Sequence, residues 1–295
     1  MILTSHLLMV RPRGFTLNKE TAADNFFQLR KEEVNLKLID EQFDAFVNDL
    51  RKEGIDVMTY DPPDDETPDA VFPNNWFSTF PTGELIIYPM KAKNRRKERR
   101  ADLLELLKKQ YKKTEDLTSF EDANLFLEGT GSIVADHKRK IAFISISKRA
   151  DPEMIAKWSA RTGYTCITFH SFDKDNLPVY HTNVVMMLGH DFAILCNDAI
   201  SSEIERNKVV GGIQSTRREI IQISLEQMHQ FCGNCLEVQN ESGQPYLIMS
   251  ETAFGAFTDR QLKRILKSTK VICSDLKHIE EIGGGSARCM IAELF

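Results

Sequence analysis

Long apolar runs and an excess of positive charge are both absent from this 295-residue sequence. No apolar stretch approaches the roughly 20 residues that a membrane span needs, and the N-terminal segment lacks the basic start and long apolar run of a signal peptide. The net charge of −5 provides no general attraction to nucleic acids or anionic membranes. We therefore expect a cytoplasmic protein whose partners include neither nucleic acid nor membrane, with its six cysteines as reduced thiols.

Metal-binding cysteine patterns are also scarce. Cys232 and Cys235 form a CxxC pair, and no second pair of cysteines or histidines follows at a usable spacing for zinc. A redox CxxC is expected at the start of a helix, whereas this one follows a predicted helix and leads into a strand. We therefore expect no metal and no other cofactor. The basic run at residues 91–100 contains Glu98 and predicts a solvated helix face instead of a nucleic-acid patch.

A repeating order of elements is what the sequence does contain: helix, strand, polar segment, strand and strand. One residue of each polar segment marks the repeat at intervals of 53, 53, 53 and 55 residues, namely Asn75, Glu128, His181, Asn234 and Cys289. Such a period is typical of a propeller-like array, in which the equivalent ends of all units meet at the central axis. The alternative is one doubly wound α/β sheet, in which helices and strands alternate without a repeat. We predict a single catalytic α/β domain covering residues 1–295.

Four element predictions concern the surroundings of these polar segments. The apolar spacing predicts a helix over residues 95–111 and strands over residues 125–128 and 181–187. It also predicts a short buried strand around Cys289. In this interpretation, Glu128 ends one strand, His181 begins another, and Cys289 belongs to the last.

The glycine-rich segment Gly283–Gly285 and Cys289 form the clearest candidate for a catalytic group. Glycine has no Cβ, so such a segment lets the backbone approach a ligand closely. A thiol held on a rigid element at the mouth of a packed core is typical of an enzyme nucleophile. The alternative is an inert cysteine in a C-terminal core strand.

Three other polar positions suit the chemistry of a cysteine nucleophile. His181 precedes an apolar run and can exchange protons near neutral pH; its alternative is a core histidine with satisfied hydrogen bonds. Glu128 lies between two apolar segments, where a carboxylate needs a partner, and its alternative is a structural carboxylate bound by backbone amides. Asn74 and Asn75 lie between apolar residues, where asparagines are usually turn formers.

Together these residues resemble the guanidino-group modifying superfamily, which contains arginine deiminases, dimethylarginine dimethylaminohydrolases and glycine amidinotransferases. The resemblance covers nearly the whole chain and rests on residues 69–75, 128–129, 181–183 and the Gly-Gly-Gly-x-x-Arg-Cys segment at 283–289. It implies a five-bladed, pseudo-fivefold symmetric α/β propeller, the pentein fold. It also implies Cys289 as the nucleophile, His181 as the acid/base, and Glu128 as the carboxylate that orients the substrate or the histidine.

The chain departs from this family at two positions. Relatives that act on free arginine commonly present aspartates to the guanidinium where this chain has Asn75 and Asn183. A neutral ureido group suits these amides better than a cation does, because an amide both donates and accepts hydrogen bonds. The departures are similar to a branch of citrulline hydrolases whose bacterial members are often called amidinotransferases. We therefore predict hydrolysis of citrulline to ornithine, ammonia and carbon dioxide through a covalent adduct on Cys289, whose thiolate is favoured by a His181 imidazolium.

An amino-acid substrate needs further contacts in addition to the three catalytic candidates. The candidates for substrate binding are Asn75, Asn183, Asp69, Asn74, Asn234 and Trp76, with Arg11, Arg13 and Arg288 as partners for the α-carboxylate. An alternative enzyme is an arginine deiminase, a dimethylarginine dimethylaminohydrolase or an amidinotransferase that uses Asp69 as its anionic contact. A second alternative is a catalytically inactive propeller that binds a ligand. The sequence leaves open whether the chain forms a homo-oligomer.

Overall fold

The computed structural model describes residues 1–28 and 34–295. These residues form fifteen strands and ten α-helices. The strands are β1 His6–Val10, β2 Asp56–Tyr60, β3 Phe77–Thr79, β4 Glu84–Ile87, β5 Lys113–Asp116, β6 Val134–Asp136, β7 Ile141–Ser145, β8 Thr165–Phe169, β9 Met186–Leu188, β10 Phe192–Leu195, β11 Glu219–Gln222, β12 Leu236–Gln239, β13 Pro245–Ser250, β14 Lys270–Ser274 and β15 Ala292–Leu294. The α-helices are α1 Leu36–Lys52, α2 Ala101–Gln110, α3 Gly129–Ser132, α4 Pro152–Thr162, α5 Thr182–Val185, α6 Glu203–Ser215, α7 Leu225–His229, α8 Glu251–Ala256, α9 Asp259–Ile265 and α10 Lys277–Gly283. Short 3-10 helices cover Pro73–Asn75, Asn94–Glu98, Thr118–Ala123 and Asn197–Ala199.

The strands form five three-stranded sheets that share one pairing pattern. Their orders are β15-β1-β2, β3-β4-β5, β6-β7-β8, β11-β10-β9 and β12-β13-β14. In each sheet the middle strand pairs antiparallel with one neighbour and parallel with the other. One or two helices connect the two parallel strands, because a parallel pair needs a long crossover. The mixed α/β content is as predicted, and the five sheets fit the predicted fivefold repeat.

Helix α1 illustrates how the crossover helices pack. The side chain of Asn35 caps its N-terminus by accepting the backbone N–H of Leu38. Its buried face recurs at helical spacing and consists of Ile39, Gln42, Phe43, Phe46, Val47 and Leu50. This face joins a hydrophobic cluster that also contains Leu7 of β1, Ile272 of β14 and Cys289. No helix formed by the described residues is both long and apolar enough to cross a bilayer.

The five residues that mark the repeat in sequence, called the marker residues below, occupy equivalent places in their units. Each lies just before the antiparallel edge strand of its sheet. Asn75 ends the 3-10 helix before β3, and Glu128 and His181 directly precede α3 and α5. Asn234 and Cys289 lie in turns before β12 and β15. The spacing in the sequence therefore corresponds to one structural position per unit.

Four predicted elements differ from the structure. Residues 95–111 are divided between a 3-10 helix and α2, and residues 125–128 contribute one isolated bridge at Leu127. The strand predicted over residues 181–187 begins as α5, because the Thr182 hydroxyl donates to the Ser132 carbonyl and accepts the Ser145 N–H. Cys289 lies in a turn instead of a strand, with its N–H 2.9 Å from the Ser286 carbonyl. At residues 181–187 side-chain bonds to another unit override the local pattern, and at Cys289 a local backbone turn does so.

Candidate active site

His181 and Glu128 form a buried hydrogen-bonded pair. Nε2 of His181 lies 2.9 Å from Oε2 of Glu128, and both side chains are excluded from solvent. The other carboxylate oxygen, Oε1, accepts the backbone N–H of Lys91 at 3.1 Å. An ionised carboxylate only accepts hydrogen bonds, so Nε2 carries a proton and Nδ1 is left as an acceptor. The ring is therefore oriented to take a proton from a neighbouring group.

The electrostatic surroundings fix the charge of both partners. Burial opposes ionisation of Glu128, but Arg149 and His181 outweigh it and lower the pKa of the carboxyl to about 2. Burial lowers the pKa of His181 to about 4, although the hydrogen bond to Glu128 acts in the opposite direction. Near neutral pH, the substrate-free protein therefore holds an ionised Glu128 beside a neutral His181. This differs from the predicted His181 imidazolium, because the sequence does not report how completely the ring is buried.

Cys289 is buried against two amide side chains. Its sulfur lies 3.2 Å from Nδ2 of Asn234 and 3.5 Å from Nδ2 of Asn183. Burial raises the pKa of the thiol, and the hydrogen bonds from these two amides counteract part of that effect. The four marker residues other than Asn75 thus form two pairs of contacts, one between Glu128 and His181 and one between Asn234 and Cys289.

A narrow cavity connects the two contact pairs. Its walls contain two of the predicted catalytic residues, Cys289 and His181, and two of the predicted substrate-binding residues, Asn75 and Asp69. The remaining wall residues are Asn25, Phe72, Arg95, Arg149, Tyr180, Gly283 and Gly285. The thiol, the imidazole and the glycine-rich segment therefore surround one space, as the sequence led us to expect.

Gly131 lies where the cavity wall leaves no room for a side chain. A Cβ atom at this position would lie 2.4 Å from Nδ2 of Asn75 and 2.8 Å from Nδ1 of His181. The absence of a Cβ therefore allows α3 to approach both residues closely. This gives the glycines after Glu128 a specific role in the placement of the histidine.

Two buried arginines in the cavity wall were not predicted. Arg149 pairs with Asp24, and its Nη1 lies 3.5 Å from Oε2 of Glu128. Its guanidinium also lies over the Tyr180 ring, at 4.7 Å from the centroid. No sequence pattern distinguishes Arg149 from a surface arginine, because its partners are distant along the chain.

Arg95 corrects the interpretation of residues 91–100 as a solvated face. Its side chain is 2% exposed and makes two hydrogen bonds to Glu98, at 2.8 and 3.0 Å. A third bond, of 2.6 Å, runs from Nη1 to Oδ1 of Asn75. Glu98 is the sequence signal that could have revealed this burial. It is the acidic residue of an otherwise basic run, and its spacing of three residues from Arg95 allows the two side chains to pair.

Asp69 lines the cavity and has one carboxylate oxygen without a hydrogen-bond partner among the described residues. Its Oδ2 accepts hydrogen bonds from Asn18 at 2.8 Å and Thr21 at 3.0 Å, and lies 3.8 Å from Nε of Arg95. Its Oδ1 is buried and has no hydrogen-bond partner among the described residues. A buried, unpaired carboxylate oxygen is costly, so this atom is well suited to receive a polar group of a ligand.

The asparagines predicted to face the substrate have varied surroundings. Asn75 lines the cavity, but its Oδ1 is taken by Arg95 and its Nδ2 donates to Oδ1 of Asn74 at 3.1 Å. Asn74 is fully buried behind it. Asn183 and Asn234 contact the sulfur of Cys289 and are not among the residues of the cavity wall.

Four other predicted binding residues lie away from the cavity. Trp76 packs in the core, with its ring 4.4 Å from that of Phe77. The three candidate partners for the α-carboxylate are not part of the cavity wall, and each pairs with another acid: Arg11 with Asp44 at 2.8 Å, Arg13 with Asp61 at 3.1 Å and Arg288 with Glu293 at 2.8 Å. Their contact with a substrate stays a prediction, and none of the four residues lines this cavity.

The CxxC cysteines are separate from the cavity. Cys232 donates to the Ala253 carbonyl at 3.4 Å, and Cys235 donates to the Cys232 carbonyl at 3.4 Å. Burial raises the pKa of Cys232 to about 12. Within residues 1–28 and 34–295, no group of three or more His, Cys, Asp or Glu side chains could hold a metal ion.

A protein family matches nearly the whole chain. Residues 11–295 fit the family described as N,N dimethylarginine dimethylhydrolase, eukaryotic. The chain belongs to this family. Its membership confirms the resemblance to guanidino-group modifying enzymes and the prediction of a hydrolase acting on non-peptide C–N bonds. No curated protein matches the sequence.

Solved structures show the same fold at low sequence identity. The N-terminal domain of ArgZ, an arginine dihydrolase from the ornithine–ammonia cycle in Cyanobacteria, was solved with its substrate; it is 15% identical, with a TM-score of 0.79 over 98% of this chain and 97% of that one. AgrE, solved with ornithine and NAD+, is 16% identical, with a TM-score of 0.78 over 98% of this chain and 39% of that one. A dimethylarginine dimethylaminohydrolase adduct with S-methyl-L-thiocitrulline is 18% identical, with a TM-score of 0.70 over 99% of this chain and 100% of that one.

Proposed function

We propose that this protein hydrolyses the ureido C–N bond of citrulline or a closely related amino acid, with Cys289 as the nucleophile. The observation that carries the proposal is the neutrality of the groups around the sulfur. Asn183 and Asn234 contact it directly, and no carboxylate does so among the described residues. A ureido group is neutral and can exchange hydrogen bonds with amides, whereas a buried guanidinium requires an anion beside it.

The cavity wall offers few anions to a cationic reacting group. Arg95 and Arg149 both line it, and their carboxylate partners, Glu98 and Asp24, are thereby occupied. Asp69 is the one carboxylate among the described residues of the wall. A neutral reacting group needs no further anion there.

In the proposed reaction Cys289 is the nucleophile and His181 transfers the protons. Nδ1 of His181 takes the proton of Cys289, and the sulfur attacks the ureido carbon. The C–N bond to ornithine breaks as His181 returns that proton to the leaving amine, which leaves a thiocarbamate on the sulfur. His181 then removes a proton from water as the water attacks this carbon. The C–S bond breaks, the sulfur recovers a proton, and the released carbamate decomposes to ammonia and carbon dioxide.

Glu128 supports both steps without contact to the substrate. It holds Nε2 protonated in the resting state and stabilises the imidazolium while His181 carries the second proton. Arg149 keeps this carboxylate ionised, since it supplies the largest charge effect on the pKa of Glu128. Glu128 is therefore assigned the role of orienting the histidine.

The amino-acid end of the substrate fits an acid–base pair in the wall. An α-amino acid carries an ammonium and a carboxylate a few ångströms apart. Asp69 and Arg95 lie 3.8 Å apart, and Oδ1 of Asp69 lacks a partner among the described residues. We assign Asp69 to the ammonium and Arg95, with Arg149, to the carboxylate, in place of the arginines predicted from sequence.

The free oxygen of Asp69 also favours a second candidate function. If it faces the reacting group instead of the ammonium, it supplies an anion for a guanidinium, and an arginine or methylarginine becomes the substrate. ArgZ is an arginine dihydrolase, and the matching family is named for the hydrolysis of dimethylarginine. A test of the proposed function therefore has to include arginine and dimethylarginine as substrates.

Product analysis with three substrates tests the proposal. Purified protein is incubated with citrulline, arginine and dimethylarginine, and the released ornithine, citrulline and ammonia are quantified. We expect ornithine and ammonia from citrulline, together with a carbamoyl adduct on Cys289 in rapidly quenched samples. Cys289→Ala should abolish both signals, while Cys273→Ser should retain them. Turnover of arginine without turnover of citrulline would assign the second function, and no turnover of any substrate would favour a ligand-binding role.

We also propose that the five units close into one propeller domain spanning residues 1–295. Hydrogen bonds between the fifth unit and the first support closure, since the Gln239 N–H donates to the Thr4 carbonyl at 3.0 Å. On the other side of the first unit, the Thr79 hydroxyl donates to the Glu293 carbonyl at 2.8 Å.

The six unpaired cysteines support a reducing, cytoplasmic location. A homo-oligomer stays an open prediction.

A further inference from the structure

The sulfur of Cys289 is the acceptor for two side-chain amides from two other units. Nδ2 of Asn234 lies 3.2 Å from it and Nδ2 of Asn183 lies 3.5 Å from it. We propose that Asn234 and Asn183 are catalytic residues that stabilise the Cys289 thiolate by N–H donation, instead of binding the substrate as their sequence positions indicate. The inference rests on the proposed role of Cys289 as a nucleophile and deepens it.

The backbone around Asn234 holds its amide in this position. Its two amide protons are directed to the sulfur and to the Asn183 carbonyl, which lies 3.0 Å from Nδ2. The Asn234 carbonyl accepts the N–H of Arg288, the residue before the nucleophile, at 3.3 Å. The side chain is therefore attached to both of the segments that form the sulfur's surroundings.

Gly233 explains why this approach is possible. A Cβ at this position would lie 2.1 Å from the Val184 carbonyl oxygen. The first of the two residues between the CxxC cysteines therefore has to be a glycine for the turn to reach α5. This gives the Cys-Gly-Asn-Cys motif a function that needs neither metal nor redox chemistry: it brings Asn234 to the sulfur.

The chemistry favours such donors because the thiol is buried, and only the Ser286 backbone and the charge of Arg288 act on it in the same direction as the two amides. A neutral substrate brings no charge to the sulfur, and His181 is neutral in the resting state. An N–H bond to an ionised acceptor is roughly twice as strong as one between neutral groups, so the two amides favour the thiolate over the thiol. A carboxylate at either position would repel the thiolate instead. An amide at position 183 therefore suits the ionised sulfur of Cys289 as well as a neutral substrate.

The remaining ionisable groups around the sulfur stay the same in the variants that test this inference. They are His181, Tyr180, Asp69, Arg95 and Arg149 in the cavity wall and Arg288 in the preceding turn. A difference in thiol titration between the parent and an Asn234 variant therefore reports the amide.

The test measures the alkylation rate of Cys289 by iodoacetamide against pH, in the free protein, with the modified peptide quantified by mass spectrometry. For Asn234→Ala we expect the apparent pKa of the thiol to rise by about one unit, which is a roughly tenfold slower reaction near pH 7. The rate at high pH, where both proteins are ionised, should be unchanged. Asn234→Asp should raise the pKa further, and Asn183→Ala should raise it less, because its bond to the sulfur is longer.

Two controls separate this effect from a structural one. Asn240→Ala removes an asparagine of the same unit whose Nδ2 donates to the Glu53 carbonyl, and it should leave the profile unchanged. A rate reduced equally at every pH, or an unchanged profile in Asn234→Ala, would overturn the inference. If Asn234→Ala does not fold, the direction of the shift in Asn183→Ala decides.

The experiment needs no substrate, so its outcome is independent of the proposed reaction. Shifted profiles together with inactivity towards citrulline would remove the proposed function and keep the role of the amides. Citrulline turnover with unshifted profiles would keep the proposed function and remove the role of the amides.

Discussion

Oε2 of Glu128 lies 2.9 Å from Nε2 of His181, and each of the two residues directly precedes the short helix of its own unit. The equivalent placement explains why residues separated by one full repeat meet. It also means that the tautomer of the histidine is set by a neighbouring unit. Four predictions about activity, stability and specificity rest on this pair and its surroundings.

Replacement of Glu128 by glutamine should impair catalysis without unfolding the protein. The variant keeps the shape of the side chain but loses the charge that stabilises the imidazolium. We expect kcat for citrulline to fall about 100-fold or more, in the range of general acid–base effects, with a smaller change in KM. The matched control is Glu237→Gln, because Glu237 is also buried and pairs with His190 at 2.9 Å, outside the cavity. Equal losses in the two variants would contradict the assignment.

Replacement of Gly131 by alanine should displace the histidine. The new Cβ would collide with Asn75 and His181, so we expect kcat to fall about 100-fold, as a misplaced catalytic group does. Circular dichroism should show unchanged secondary structure. Gly211→Ala is the control: a Cβ there meets no atom within 4 Å, and alanine in the interior of α6 should raise the free energy of unfolding by up to about 1 kcal/mol. Full activity in Gly131→Ala would contradict the prediction, because catalysis would then tolerate a displaced His181 imidazole.

The burial of His181 should make folding stability depend on pH. Its pKa is about 4 in the folded protein, against about 6.5 when exposed, so the unfolded state binds more protons between these values. Stability should therefore be fully present above pH 6.5 and decrease as the pH falls towards 4, by about 2 kcal/mol at pH 5. Urea unfolding of the parent and of His181→Asn at pH 7 and pH 5 measures this slope. The slope should be smaller in the variant, and an equal slope in both would refute the prediction.

Replacement of Asn183 by aspartate should change substrate preference. The carboxylate opposes ionisation of Cys289 unless a cation occupies the cavity, so turnover of citrulline should decrease. Arginine brings that cation, and the ratio of kcat/KM for arginine to that for citrulline should rise about tenfold or more, as expected for one charge-assisted contact. Asn183→Ala should reduce kcat/KM for both substrates without changing their ratio. A ratio unaffected by the aspartate would mean that position 183 does not sense the charge of the reacting group.

The sequence predicts the parts of the site that depend on the repeat. Glu128, His181 and Cys289 could be found because each unit presents one residue at the same place before its edge strand. Arg149 could not, because its burial depends on Asp24 and Glu128 from distant segments. For Arg95 the only signal in the sequence is its partner Glu98, three positions further on, because its other partners, Asp69 and Asn75, are distant along the chain. A periodic pattern reports which face of an element is apolar, but not which charged side chain is enclosed by partners from other units.

The pairing of β15 with β1 has a consequence for the order in which the molecule assembles. Leu294 pairs with His6, whereas the other four sheets each take their strands from one continuous stretch of chain. A contact between such distant segments carries the largest loop-closure entropy, so we expect this sheet to form last and to open first. The turn with Cys289 precedes β15, and its sulfur would then be released from burial before any other part of the cavity unfolds. Hydrogen exchange of β15 and the oxidation rate of Cys289 should therefore rise together under mildly destabilising conditions, while the remaining sheets stay protected.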